Sequence, residues 1–277
     1  SFKFSGRFNS FLNSSFDLPI SKDRKSTASG ATKIFSAAIP FSKRIFFIAT
    51  VNTTNPLTAT AIFLYRFHFF GIACSSQKIL GLLALHLYED RGLKGGIIKT
   101  IAGSNMIDNI AKKLKLKLYE TPVGFKYISD LMVNENILVG GEEAGGMGFK
   151  NYIPERDGTL AGILLLEMMV FRNKPMDRIV REMEDEFGRY HYRRFDLKTH
   201  KQNVSIEGLK KIKKILGQKV VQIKDFDGIK LILEDESWLM FRASGTEPLI
   251  RTYAEAKTPR RAQALIEFGE KILKSIY

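Results

Sequence analysis

Phe241-Arg242-Ala243-Ser244-Gly245-Thr246-Glu247-Pro248-Leu249-Ile250-Arg251-Thr252-Tyr253 joins two apolar runs, Trp238–Phe241 and Leu249–Tyr253, through a turn of small and polar residues. Two strands and a tight connection are expected. Such a turn can hold an anion. Ser244 and Thr246 offer hydroxyl donors, and Gly245 tolerates positive φ and lets a ligand approach the backbone. Neighbouring backbone N–H groups in a turn of this kind converge on an anion. Arg242 and Arg251 flank it, and each guanidinium can grip a phosphate through two parallel hydrogen bonds. A lone Ser-Gly-Thr would read as an ordinary hairpin turn beside two solvated arginines. The full Arg-x-Ser-Gly-Thr-Glu-Pro-x-x-Arg pattern between apolar strands favours a phosphate-ester clamp.

Around the turn, residues 188–277 read as a small α+β domain, an antiparallel sheet with two helices. Arg189–Leu197 alternates like a strand. Val220–Asp225 and Ile229–Glu234 flank Phe226-Asp227-Gly228, and Asp-Gly is a hairpin signal. Thr258-Pro259 opens a final helix over Arg260–Ile276. Ile206–Leu216 is expected to be the other helix. Its lysines, Lys210, Lys211, Lys213 and Lys214, form a solvated face around Leu209, Ile212, Ile215 and Leu216.

Residues 71–187 alternate strand and helix, which indicates an α/β domain with a mixed, largely parallel sheet. Ser76–Tyr88 is an apolar helix ended by glycines. Gly96–Ala102, Leu116–Glu120 and Ile137–Gly140 are strands. Asn105 is read as the cap of a helix over Met106–Leu114, and Phe125–Met132 as another helix. Asp157 is expected to cap Thr159–Phe171, a nearly all-apolar helix read as buried. Lys174-Pro175 opens an amphipathic helix to Phe187, with Met176, Ile179, Val180, Met183 and Phe187 on one face. In such sheets ligands sit at the loops beyond the strand C-termini. Two of those loops stand out. Glu120-Thr121-Pro122-Val123-Gly124-Phe125-Lys126 makes a tight bend that projects either a ligand-facing Lys126 or a surface lysine. Gly140-Gly141-Glu142-Glu143-Ala144-Gly145-Gly146 sets two carboxylates among glycines, a pattern suited to paired sugar hydroxyls.

Charge and composition narrow the function. The net charge is +14 over 277 residues, but +7 of it falls in residues 1–70. The patterned part is therefore only mildly basic, as a protein handling sugar phosphates would be, and a nucleic-acid reading is disfavoured for lack of aromatics interleaved on a basic face. Cys74 is the single cysteine, so no internal disulfide can form and a reducing, cytoplasmic compartment fits. The histidines show no metal-ligand spacing. There is no long uncharged apolar run and no secretory pattern, so neither a membrane span nor a signal segment is expected. Residues 1–70 differ from the rest. They hold 13 of the 21 Phe, are acid-poor and Ser-rich, and lack regular periodicity, although Lys43–Ala49 fits one strand. They are read as an atypical, irregular segment, out-of-frame or disordered.

Three motifs, in one order, make the chain resemble the α-D-phosphohexomutases, the phosphoglucomutase/phosphomannomutase group. Thr121–Lys126 resembles a substrate-contacting loop of that family's third domain, and Gly141–Gly146 its sugar-specificity loop. Arg242–Pro248 with Arg251 resembles the phosphate-binding loop of its fourth. The resemblance covers residues 71–277, the C-terminal half of a four-domain enzyme. That family interconverts hexose 1- and 6-phosphates through a bisphosphate, using a phosphoserine on its first domain and Mg²⁺ held on its second. It is thus an isomerase acting by intramolecular phosphoryl transfer, in which positioning and charge neutralisation supply most of the catalysis. The resemblance implies substrate binding by Lys126, Glu142, Glu143, Ala144 and Gly145. It implies phosphate binding by Arg242, Ser244, Gly245, Thr246 and Arg251. It implies Mg²⁺ and a hexose bisphosphate as cofactors. Ala144 departs from the Ser of many members, at about 1 kcal/mol for a typical hydrogen bond.

The larger departure concerns chemistry. The family's phosphoserine motif reads Thr-Ala-Ser-His-Asn-Pro, whereas Thr27-Ala28-Ser29 here is followed by Gly30-Ala31-Thr32. Ser29 is therefore read as a chance match, and no catalytic residue is identified. No Asp-x-Asp-x-Asp occurs, so no metal ligands are identified either. Leu57-Thr58-Ala59-Thr60-Ala61-Ile62 can be encoded by DNA whose shifted frame reads Asp-Gly-Asp-Gly-Asp, just upstream of Gly71. The expectation is a truncated or frameshifted mutase that keeps sugar and distal-phosphate binding, with a complementary N-terminal half as a partner. The alternative is a non-catalytic sugar-phosphate-binding or regulatory module.

Overall fold

A computed structural model of the chain describes residues 45–49, 61–65, 74–198, 206–244 and 248–276. Most of the segment 1–70 lies outside them. Within it, β1 (Ile45–Ala49) pairs antiparallel with β2 (Ala61–Tyr65).

The first domain is an α/β/α sandwich. Its sheet runs β4-β3-β5-β6, from β3 (Gly96–Thr100), β4 (Leu118–Thr121), β5 (Ile137–Gly141) and β6 (Met147–Phe149). β3 is parallel to β4 and β5, and β6 is antiparallel to β5. Its helices are α1 (Ser76–Leu85, continued by a π-helical turn to Asp90), α2 (Asn105–Leu114), α3 (Phe125–Asn134), α4 (Gly158–Arg172) and α5 (Met176–Phe187). Successive strand residues point to opposite faces. Accordingly Ile97 joins the core built with α1, α2, α4 and α5, while Ile98 packs with Phe125 and Ile128 of α3. The expected face of α5 is buried at all five positions.

Local details correct several expectations. Ser104, not Asn105, caps α2, its hydroxyl accepting from the Met106 N–H. Asp157 caps α4 as expected, accepting from Leu160 N–H at 2.8 Å. α4 is not buried throughout, since Val170 and Phe171 near its C-terminus are exposed. β6 has no counterpart in the sequence reading, because three residues flanked by glycine carry too short a pattern to register.

The second domain is one six-stranded antiparallel sheet in the order β7-β12-β11-β10-β9-β8. Its strands are β7 (His191–Lys198), β8 (Lys214–Ile215), β9 (Gln218–Lys224), β10 (Ile229–Leu233), β11 (Trp238–Ala243) and β12 (Leu249–Ala256). Among the described residues a single α-helix, α6 (Pro259–Ile276), covers one face through Leu265, Ile266 and Leu273 against Leu239, Phe241 and Ile250. The second helix expected over Ile206–Leu216 is replaced by a short 3₁₀ turn, Glu207–Lys211, and the β8–β9 hairpin. Leu216 and Gly217 both take positive φ, 47° and 85°, so they form a two-residue connection of the primed kind that Asn-Gly usually signals.

The other face of the sheet docks on the first domain. Trp238, Met240 and Tyr253 bury against Ile101 and Ala102 at the end of β3. Polar ties surround this core. Lys230 Nζ donates to Ile101 O at 2.7 Å, Lys224 Nζ to Glu120 Oε2 at 2.5 Å, and Asn105 N–H to Glu255 Oε1 at 2.9 Å. Glu255 thereby meets the positive end of α2 from the opposite domain. No helix among the described residues is long and apolar enough to cross a membrane.

Candidate functional site

The loops after β3, β4 and β5 leave one edge of the parallel sheet, where such folds bind ligands. The loop after β5 is closed on itself: Glu142 N–H donates to Gly146 O at 2.9 Å and Gly145 N–H to Glu142 O at 3.1 Å. Gly145 sits at φ +108°, a conformation that side chains rarely adopt. Its two carboxylates have different surroundings. Glu143 is tied inward, with Thr100 Oγ1 donating to Oε2 at 2.7 Å and Ser76 Oγ donating to its carbonyl at 2.6 Å. Glu142 has a looser partner, Arg156 Nη1 at 3.8 Å, although its side chain is only 11% exposed. Burial, and then repulsion from Glu143, hold the Glu142 carboxyl above the ordinary range, against the pull of Arg156. Among the described residues Arg156 is the cation nearest the Glu142 carboxylate, and the cleft beside this loop is lined by Glu143 rather than Glu142.

Ala144 and Gly145 line a cleft of about 260 Å³ with Glu143, Ser76, Cys74 and Tyr192 of β7. Both domains thus contribute to the cleft wall. Burial pushes the Cys74 thiol up to about 11, which makes it a poor nucleophile. A larger cleft of about 340 Å³ beside α3 and β6 holds none of the sequence-derived site residues. Lys126, on α3, is exposed, its ammonium 4.8 Å above the Tyr127 ring. No described contact joins it to the other candidate residues.

The clamp arginines end up side by side. Arg242 of β11 and Arg251 of β12 are register partners, and Ser244 N–H closes the intervening turn on Leu249 O at 2.9 Å. Gly245 and Thr246 lie outside the described residues. Two cations opposite one another on neighbouring strands repel, so the pair suits an anion. Arg242 is held from behind: its Nε lies 2.8 and 2.9 Å from the two carboxylate oxygens of Asp227. Asp227 Oδ2 also accepts from Val123 N–H, at 2.6 Å, in the loop before α3. Asp227 and Arg156 were missed in the sequence. Asp227 read only as a turn former and Arg156 only as a residue ahead of a helix cap, because each acts across distant parts of the chain.

The family model described as phosphoglucomutase/phosphomannomutase alpha/beta/alpha domain III matches residues 75–187, and that for the C-terminal domain matches residues 198–268. The phosphoglucomutase/phosphomannomutase of Thermococcus kodakarensis is 32% identical over 204 residues, 74% of this chain and 43% of the relative. The phosphoglucosamine mutase of Campylobacter concisus is 33% identical over 204 residues, 73% of this chain and 41% of the relative. A solved phosphoglucomutase/phosphomannomutase family protein from Burkholderia thailandensis shares the fold, with a TM-score of 0.64 at 16% identity, covering 83% of this chain and 46% of that one. The chain spans less than half the length of these relatives. It belongs to the phosphoglucomutase/phosphomannomutase family, of which it carries the third and the C-terminal domains.

Proposed function

We propose that this chain is the sugar- and phosphate-binding half of a phosphohexomutase, an isomerase interconverting hexose 1- and 6-phosphates in carbohydrate metabolism. The observation that carries the reading is the Arg242–Arg251 pair, with Arg242 braced by Asp227 at the mouth of a Ser-Gly-Thr turn. In this reading Arg242, Ser244, Gly245, Thr246 and Arg251 hold the phosphate that is not reacting. Glu142 accepts hydrogen bonds from sugar hydroxyls, Glu143 shapes the loop, and Lys126 reaches the substrate from α3. A loop that presents one carboxylate acceptor serves a sugar bound in either orientation, as an exchange between the two phosphate positions requires.

The family resemblance implies Mg²⁺ and a hexose bisphosphate. Among the described residues no three His, Cys, Asp or Glu gather where they could hold a metal. The described residues therefore offer the ion no site, and no step here runs through it. The present sequence also has neither the phosphoserine motif nor Asp-x-Asp-x-Asp. On that inventory the chain by itself binds without turning over, and a complementary N-terminal half supplies the chemistry. A non-catalytic, regulatory sugar-phosphate module is the second reading, favoured by the same inventory. The reading entails a cytoplasmic protein whose ligand is a hexose phosphate, not nucleic acid. It also retains the frameshift origin for residues 1–70, which genomic sequence across codons 57–71 decides.

Calorimetric titration with glucose 1-phosphate and mannose 1-phosphate, on the intact chain and on Arg242→Ala, tests the binding. Saturable binding that Arg242→Ala weakens about tenfold or more supports the proposal, and no binding by the intact chain refutes it. A coupled mutase assay with Mg²⁺ and hexose bisphosphate then tests the inventory. Turnover at an ordinary rate of about 1–10³ s⁻¹ would show that a nucleophile has been overlooked, and Ser29 would be the first residue to replace.

A further inference from the structure

We infer that Asp227 is a positioning residue: it aims the Arg242 guanidinium at the phosphate and couples that clamp to the Thr121–Lys126 loop of the other domain. The inference rests on the sugar-phosphate reading above and adds to it a residue outside the binding motifs. The geometry starts with Gly228, at φ +89°, where an added Cβ would stand 2.4 Å from Phe241 O. A residue without a side chain lets the β9–β10 turn press against the end of β11. That contact delivers the neighbouring Asp227 carboxylate to Arg242, the residue after Phe241. The bond uses Nε, with both carboxylate oxygens within 2.9 Å. A guanidinium has five N–H donors in a rigid plane. Fixing the Nε edge therefore fixes where the two terminal amino groups point. Those amino groups make no hydrogen bond among the described residues.

Asp227 also addresses the repulsion at the clamp. Arg242 and Arg251 oppose each other across β11 and β12. A carboxylate on one of them offsets the like-charge cost. The side chains of Asp227 and Arg242 are each 18% exposed, so water screens this pair less than a surface ion pair. The same Oδ2 accepts the Val123 N–H, so one carboxylate links an arginine of the C-terminal domain to the backbone that leads into Gly124 and Lys126. Displacement of Arg242 by a bound phosphate is thereby felt in the loop of the other domain through a single atom.

The test uses the full chain and the variants Asp227→Ala, Asp227→Asn, Arg242→Ala and Asp227→Ala/Arg242→Ala. Asn keeps an acceptor for Val123 N–H without the charge, and guards against the alanine variant failing to fold. Calorimetry with glucose 1-phosphate is expected to show Asp227→Ala weakening binding about tenfold, the scale of one charge-assisted hydrogen bond, with Asp227→Asn in between. In the Arg242→Ala background the same alanine change leaves affinity unchanged or raises it, because the lone carboxylate now repels the ligand. Equal weakening in both backgrounds would overturn the inference, since the effect would not pass through Arg242. A ligand-free measurement separates this from the sugar-phosphate reading. The Arg242 Nε–H signal in ¹⁵N spectra, assigned by its loss in Arg242→Lys, should exchange with water faster in Asp227→Asn than in the unsubstituted chain. Unchanged exchange overturns the positioning role whether or not glucose 1-phosphate binds, whereas faster exchange without any binding sinks only the ligand reading.

Discussion

Lys230→Met is expected to erase a pH dependence of stability built into the domain interface. Lys230 is 1% exposed. Its Nζ donates to Ile101 O at 2.7 Å and stands 4.0 Å above the Trp238 ring. Lys99 and Lys224 repel its charge, while Glu120 and Glu255 attract it. Burial, and next Lys99, push its ammonium down from 10.5 to about 7. In the unfolded chain the amine keeps its proton to about pH 10.4. Between those values the unfolded state binds a proton that the folded state has released, so stability rises with pH, by at most about 1.4 kcal/mol per pH unit. Below the folded value both states are protonated and this slope vanishes. From pH 7 to 9 the contribution amounts to about 2–3 kcal/mol, or about 5–10 °C in Tm for domains of this size. Met is apolar and has no proton to lose; it gives up the bond to Ile101 O and, where the amine is charged, the contact with the Trp238 ring. Glu255, which burial holds above the ordinary carboxylate range while Lys230 draws it back, contributes in the opposite sense at lower pH. Scanning calorimetry of both proteins at pH 6, 7, 8 and 9, at fixed ionic strength, should show the Tm of the unsubstituted chain rising with pH relative to that of Lys230→Met. Parallel Tm profiles would refute the reasoning.

Three other substitutions have definite expectations. Because the Glu142 carboxyl is held above the ordinary range, glucose 1-phosphate binding should weaken on acidification before a normal carboxylate would protonate, and titrations on Glu142→Gln should lack that component. Gly228→Ala forces a side chain into a left-handed conformation against Phe241 O, so urea unfolding should show a loss of about 2 kcal/mol or more; an unchanged midpoint would mean that the turn does not press on β11. Trp238→Ala removes a fully buried ring together with its Nε1–H bond to Glu255 at 3.2 Å, and the same measurement should show a loss of about 3–5 kcal/mol.

Much of this protein is written locally. The helices α2, α3, α5 and α6 follow from apolar spacing and punctuation by Ser, Pro and Gly, because a helix buries a face defined by residues three and four apart. The candidate clamp and the Gly141–Gly146 loop stand out in the sequence for a related reason: each sets its candidate donors or acceptors within about a dozen consecutive residues. Where reading failed, the deciding contact was distant or the pattern too short. The 206–216 segment has helical spacing, yet Leu216 and Gly217 turn it into a hairpin that buries Leu209 and Ile215. Asn105 looks like a cap, yet Ser104 takes that role while the Asn105 N–H reaches Glu255, 150 positions away.

The alternation along β11 shows two faces, Trp238 and Met240 against Leu239 and Phe241, but not which face meets α6 and which the other domain. Only packing assigns them, since both are apolar. The same holds for the site. Residue types and spacing pointed to a carboxylate loop and an arginine clamp. That Glu143 is tied inward depends on Thr100 and Ser76, and that Arg242 is braced depends on Asp227 and Val123. Hydrophobic period and turn chemistry act between neighbours in the chain, so sequence determines them; the direction and charge of a functional group depend on neighbours in space, and only the tertiary structure decides those.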